Sequence, residues 1–182
     1  MEMQTDTLKH ICSEALVVIN DAAAFIKVNL DQVNSEQIIE KGTNSLVSYV
    51  DQQAERILIE GLSKILPDAG FITEEEMTSQ GQKALTWIID PLDGTTNFLH
   101  SVPFFSFSVA LYDGEKIIIG IVHEVVHDEI FYAIQGLGAK RNGEPISVTK
   151  RQDFHDILIG TGFPYKTEHT VDGHFKALKQ VL

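Results

Sequence analysis

Asp90 and Asp93 stand three positions apart at the end of the apolar run Trp87-Ile88-Ile89, with Pro91 and Leu92 between them and Gly94-Thr95-Thr96 following. Paired carboxylates are ligands for hard divalent cations such as Mg2+. Pro91 lacks a backbone N–H and should end the strand. Gly94 lets the chain turn tightly, after which Thr95 or Thr96 can cap a short helix through Asn97 and Phe98. Free N–H groups at a helix start attract phosphate. A second strand-like run, Phe71-Ile72-Thr73, ends in Glu74-Glu75-Glu76. Taken alone, that acidic triplet is a solvated loop. One loop ahead of the Asp90 strand, its end can meet the end of that strand, because neighbouring strands usually pair. The combination describes a metal-assisted phosphate site.

The elements that must hold these residues are read from periodicity. Leu8, Ile11, Cys12, Ala15, Ile19, Ala22 and Ile26 recur at helical spacing, predicting a helix over Thr5–Asn29 with Cys12 as a buried, inert thiol. Leu30–Val47 is polar and reads as a loop. Ser48-x-x-Asp51 opens a second helix whose buried face is Ala54, Ile57, Leu58, Gly61, Leu62 and Ile65, ended by Pro67-Asp68-Ala69-Gly70. Strand signals follow. They are Phe71–Thr73, Leu85–Ile89, an alternating run over Phe105–Leu111, the turn Asp113-Gly114, and a β-branched run Lys116–Val122 expected to be covered on both faces. Glu129–Ile134 comes next, then a hairpin at Asn142-Gly143, then Ile157–Thr161; Val171–Leu182 reads as a helix. The predicted fold class is α+β, with two N-terminal helices packed on a mostly antiparallel sheet.

His123-Glu124-Val125-Val126-His127 matches the H-E-x-x-H zinc signature literally. That motif needs a helix to bring both imidazoles onto one face. Here it joins two β-forming runs. In extended chain the two histidines would lie about 13 Å apart, so the reading is a hairpin turn with surface polar residues and no zinc.

The acidic pair followed by Asp90-Pro91-Leu92-Asp93-Gly94-Thr95-Thr96 resembles the signature of the inositol monophosphatase family, the lithium-sensitive, Mg2+-dependent phosphomonoesterases. The resemblance runs from about Gly42 to Phe163, and Thr96-Asn97-Phe98 is closer to that branch than to fructose-bisphosphatases or nucleotide-bisphosphate phosphatases. It implies the N-terminal part of a layered αβαβα fold. By resemblance, Glu74, Asp90 and the Leu92 carbonyl hold a first metal, and Asp90 and Asp93 a second. Glu74 and Thr95 orient the attacking water, and Asp51 holds the Thr95 hydroxyl. Asp93 and the amides of Gly94 and Thr95 receive phosphate, with Glu75 and Thr96 in support. Asp51 also reads as a helix-capping acid, Glu75 as a loop charge and Thr96 as a cap. The implied cofactor is Mg2+, two or three ions per site in the family, with Mn2+ as an alternative. The implied substrate is inositol monophosphate or a similar small polyol or sugar phosphate. A homodimer is also implied.

Trp87 is the sole tryptophan, so the family's later Trp-Asp motif, whose aspartate binds metal, has no counterpart. The expectation is a single inositol-monophosphatase-like domain over residues 1–182, truncated at its C-terminus. The rival readings are a non-catalytic or weakly active remnant that binds metal or a partner, and a phosphatase of a related substrate, fructose bisphosphate or a nucleotide 3',5'-bisphosphate. A net charge of −12 argues against nucleic acid and anionic membranes as partners. The lone Cys12, the polar start and the lack of a long apolar run make the expected location cytoplasmic.

Overall fold

The computed structural model describes residues 3–30, 32, 38–42, 45–74, 83–162 and 168–181. They form two compact units, Met1–Ile39 with Val47–Ser147, and Glu40–Leu46 with Val148–Leu182.

The first unit holds helices α1 (Thr5–Asn29) and α2 (Tyr49–Ile65) and a seven-stranded sheet. Its strands, in spatial order and in chain order alike, are β3 (Gly70–Thr73), β4 (Thr86–Asp93), β5 (Ser106–Tyr112), β6 (Ile117–Glu124), β7 (Glu129–Ile134), β8 (Gly138–Arg141) and β9 (Glu144–Ile146). β3 and β4 pair in parallel, and every later neighbour pairs antiparallel. A five-residue helix, α3 (Thr95–Leu99), follows β4 directly. The mixed α+β architecture agrees with the sequence.

α1 and α2 pack against each other, α2 against β4, and α1 against β6 and β7. The seam is built from the predicted periodic residues. Ala15, Ile19, Ala22 and Ile26 of α1 and Ala54, Leu58 and Leu62 of α2 are buried together with Trp87, Phe107, Val109, Leu111, Ile119 and Ile121 of the sheet. Burial of these apolar side chains is the main favourable term in the fold. Gly61 sits where the helices approach: a Cβ there would lie 2.4 Å from Val18 Cγ1. Cys12 is buried in the same core, and burial pushes its thiol up to about 11, which leaves it unreactive.

Several elements depart from the sequence reading. Leu30–Val47 is not all loop: Ile38–Gly42 and Ser45–Ser48 form strands β1 and β2 of a separate two-stranded sheet. Their apolar pairs, Ile38-Ile39 and Leu46-Val47, carry the β-propensity that the surrounding polar residues obscure. The strand at Asp90 does not stop at Pro91 but continues to Asp93 through a bulge, a place where a proline needs no ladder partner. β6 is not covered on both faces, since Ile117 and Val122 are 47% and 42% exposed. His123 is not a surface residue. It points into the core and is 1% exposed.

The second unit contains a 3-10 turn, Phe154–Asp156, and helix α4 (Glu168–Val181). Asp153 accepts the His155 N–H at 3.0 Å and Arg151 donates to the Asp156 carbonyl at 2.9 Å. These local bonds favour the turn over the strand expected at Ile157–Thr161, which is not formed. No helix among the described residues is long and apolar enough to cross a membrane.

Candidate active site

The site is assembled where β3 and β4 end. Their register, Gly70 opposite Thr86 through Thr73 opposite Ile89, runs both strands in the same direction. Glu74, the residue after β3, therefore emerges beside Asp90. An antiparallel pairing would have sent the two acids to opposite ends of the sheet. Asp90 pairs with Ser108 and Asp93 with Ser106 on β5, so three steps along β4 match two along β5. The extra residue is the bulge that carries Pro91 and Leu92, both buried. Within it the Leu92 N–H donates to Asp90 Oδ1 at 3.2 Å, a local turn that fixes the carboxylate.

Asp90 is half-buried, and its pKa is pushed up to about 7. Burial is the largest cause, followed by the charges of Glu74 and Asp93, while the Leu92 N–H pulls the other way. Asp93 is exposed at the rim.

Gly94 occupies the residue before α3 with φ +91°, a left-handed conformation open to glycine. Its Cα also lies against Phe104 and Phe105, where a Cβ would come within 3.4 Å of backbone. The N-cap position thus falls to Gly94, which offers no side-chain cap, and not to Thr95 or Thr96. Thr96 is exposed on the first turn. Thr95 turns its hydroxyl back into the site, within hydrogen-bonding distance of the Leu92 carbonyl at 2.9 Å and Asp51 Oδ1 at 3.1 Å. One hydroxyl proton serves one of these acceptors at a time. Asp51 lies in the first turn of α2, 2% exposed.

The structure thus brings together Glu74, Asp90, Asp93, Leu92, Gly94, Thr95 and Asp51. Glu75 lies outside the described residues. Glu55, one helical turn beyond Asp51 and equally buried, is a polar group that the sequence reading missed. The spacing Asp51-x-x-x-Glu55, inside an otherwise apolar helix face, was its only signal. Among the described residues no three His, Cys, Asp or Glu side chains converge at ligand spacing. The groups that could hold a hard cation are Glu74 and Asp90, neighbours at the two parallel strand ends, the Leu92 carbonyl, and Asp93, whose charge acts on Asp90. The H-E-x-x-H segment lies on the end of β6 and the turn after it. His123 points inward, while His127 is exposed and pairs with Glu124 at 3.0 Å.

These features define a class: an α+β protein with an acidic site at parallel strand ends, backed by a helix-borne aspartate and a threonine hydroxyl. Residues 5–181 match the model of the inositol monophosphatase family, and the chain belongs to that family. It is similar to the Nus factor SuhB of Haemophilus influenzae, 32% identical over 92% of this chain and 63% of that protein. It is also similar to the fructose-1,6-bisphosphatase/inositol-1-monophosphatase of Aquifex aeolicus, 32% identical over 97% of this chain and 67% of that one. The crystal structure of extragenic suppressor protein suhB from Bartonella henselae superposes with a TM-score of 0.82 at 33% identity, covering 91% of this chain and 64% of that chain. The chain spans about two thirds of the length of each relative.

Proposed function

We propose that this chain carries the metal-binding half of a Mg2+-dependent phosphomonoesterase acting on inositol monophosphate or a similar small polyol or sugar phosphate. The observation that carries the reading is the meeting of Glu74 and Asp90 at the ends of two parallel strands, where burial and mutual repulsion make Asp90 hard to ionise without a cation. Divalent cations held there would neutralise phosphate oxygens and supply an activated water. Glu74, Asp90 and the Leu92 carbonyl fit a first cation; Asp90 and Asp93 fit part of a second. Asp51 fixes the Thr95 hydroxyl, so the remaining lone pairs of Thr95 and a carboxylate oxygen of Glu74 can orient a water for attack. Gly94 and Thr95 present backbone N–H groups at the rim, next to Asp93, where phosphate would rest.

Asp93→Asn tests the reading, because it leaves the strand intact and removes one charge. Phosphate release by the protein containing this chain should fall about 100-fold at saturating Mg2+, the scale of a lost preorganised electrostatic group. Activity within a few-fold of the parent would defeat the assignment.

A second reading is favoured by the SuhB relatives, one of which bears the name Nus factor. Under it, the fold serves mainly to bind a partner, with weak turnover or none. Mg2+-dependent thermal stabilisation without phosphate release from any small phosphomonoester would support this reading over the first.

A further inference from the structure

One carboxylate ties the β6–β7 turn to the end of α1. Asp128 closes the turn with φ +56°, in the sparsely populated left-handed region. Its carbonyl accepts from Asn142 Nδ2 at 3.0 Å, while Asn142 Oδ1 accepts the Ile130 N–H at 2.8 Å, so the β8–β9 hairpin pins the turn. Asp128 Oδ1 takes the ammonium of Lys27, from the last turn of α1. The same oxygen lies 3.5 Å from Nε2 of His123.

His123 sits in the core between Phe107 of β5 and Ile130 of β7, its ring centroid 5.5 Å from that of Phe107. Neither ring nitrogen has a hydrogen-bond partner among the described residues. The charged groups that face it are Asp128 from the turn, Lys27 from α1 and its own neighbour Glu124; Phe107 and Ile130 are apolar. Burial lowers its pKa below the ordinary histidine value, Lys27 adds to that, and Asp128 and Glu124 oppose it. The closed turn therefore accommodates neutral imidazole. A proton on His123 makes two cations compete for one oxygen of Asp128.

We propose that the β6–β7 turn is a proton-operated latch. With His123 neutral, Asp128 belongs to Lys27 and holds the end of α1 on the sheet. With His123 protonated, the turn lets go. An open turn exposes the imidazole and binds the proton more readily than the closed one, so opening becomes easier as pH falls through the histidine range. Glu124, beside His123, pairs with Ser106, which pairs with Asp93, so the latch borders the acidic site along one row of the sheet.

The test is amide hydrogen exchange at pH 7.5 and 5.5, corrected for intrinsic rates, with a proton NMR titration of His123 in the wild-type chain. Opening of residues 125–128 and of the last turn of α1 should rise about fivefold or more at the lower pH. The rise should vanish in His123→Phe, which keeps the ring packing on Phe107. His123 should titrate below the range of free histidine. In Lys27→Met its midpoint should move up, because Asp128 then has His123 as its only cationic neighbour among the described residues. Equal protection at both pH values would overturn the latch. So would the same rise in His123→Phe, or an unmoved midpoint in Lys27→Met.

Discussion

The Thr95 hydroxyl lies 3.1 Å from Asp51 Oδ1, joining the first residue of α3 to the first turn of α2 across 44 positions of sequence. No local rule requires this contact. It exists because α2 packs on β4 and because the bulge after Asp90 returns the chain toward that helix.

If the pair positions the attacking water, Asp51→Asn and Thr95→Val should each lower kcat about 100-fold with little change in KM, and the double variant should be scarcely worse than either single one. Steady-state phosphate release by the protein containing this chain measures this. A helix-cap role alone would instead lower Tm and leave kcat within a few-fold.

Asp90 gives a pH prediction whose sign is opposite to that of a salt-bridged acid. Its folded-state pKa, about 7, lies above the ordinary carboxylate value. The folded chain therefore holds this proton more tightly than the unfolded chain, and stability from this group declines as pH rises from about 4 through 7. In EDTA, Asp90→Asn should stabilise the chain at pH 8 by about 1–2 kcal/mol, allowing for partial exposure, and by nearly nothing at pH 4. Added Mg2+ should raise the Tm of the wild type and fail to raise that of the variant. Thermal melts at the two pH values, with and without Mg2+, check each part. A variant less stable than wild type at pH 8 in EDTA would contradict the electrostatic account.

Gly61 predicts a packing effect far from the site. An added methyl would press on both branches of Val18, at 2.4 and 2.7 Å. Gly61→Ala should cost about 1–3 kcal/mol despite alanine's better helix propensity. Val18→Ala on the same chain should recover much of that loss. Chemical denaturation of the single and double variants is the measurement, and additivity of the two losses would show that the helices do not meet there.

Features set by neighbouring residues were legible in the sequence. α1 emerged from its apolar stripe with its bounds, and Asp113-Gly114 and Asn142-Gly143 marked hairpins, with Gly114 and Gly143 at φ +92° and +89°. The acidic motif was legible as well, because its residues sit within a few positions of one another. Features set by distant partners were not. Nothing local shows that β3 runs parallel to β4, yet that choice brings Glu74 to Asp90. His123 looked like a turn residue until Phe107 and Ile130 closed over it. Pro91 reads as a terminator because its missing N–H is a local fact, whereas the bulge that tolerates it depends on the register with β5.

The bulge also settles a question of parity. Along a regular strand, side chains alternate faces, so two residues three apart point in opposite directions. Asp90 and Asp93 would then lie on opposite sides of the sheet and could not serve one ligand. Because their partners, Ser108 and Ser106, are two apart, both aspartates take the same side. The odd spacing of the motif is thus made even by one surplus residue. A regular strand with the same three-residue spacing would turn one carboxylate toward the helices even with every acidic side chain still present. In this motif the bulge is as much a part of the chemistry as the acids themselves.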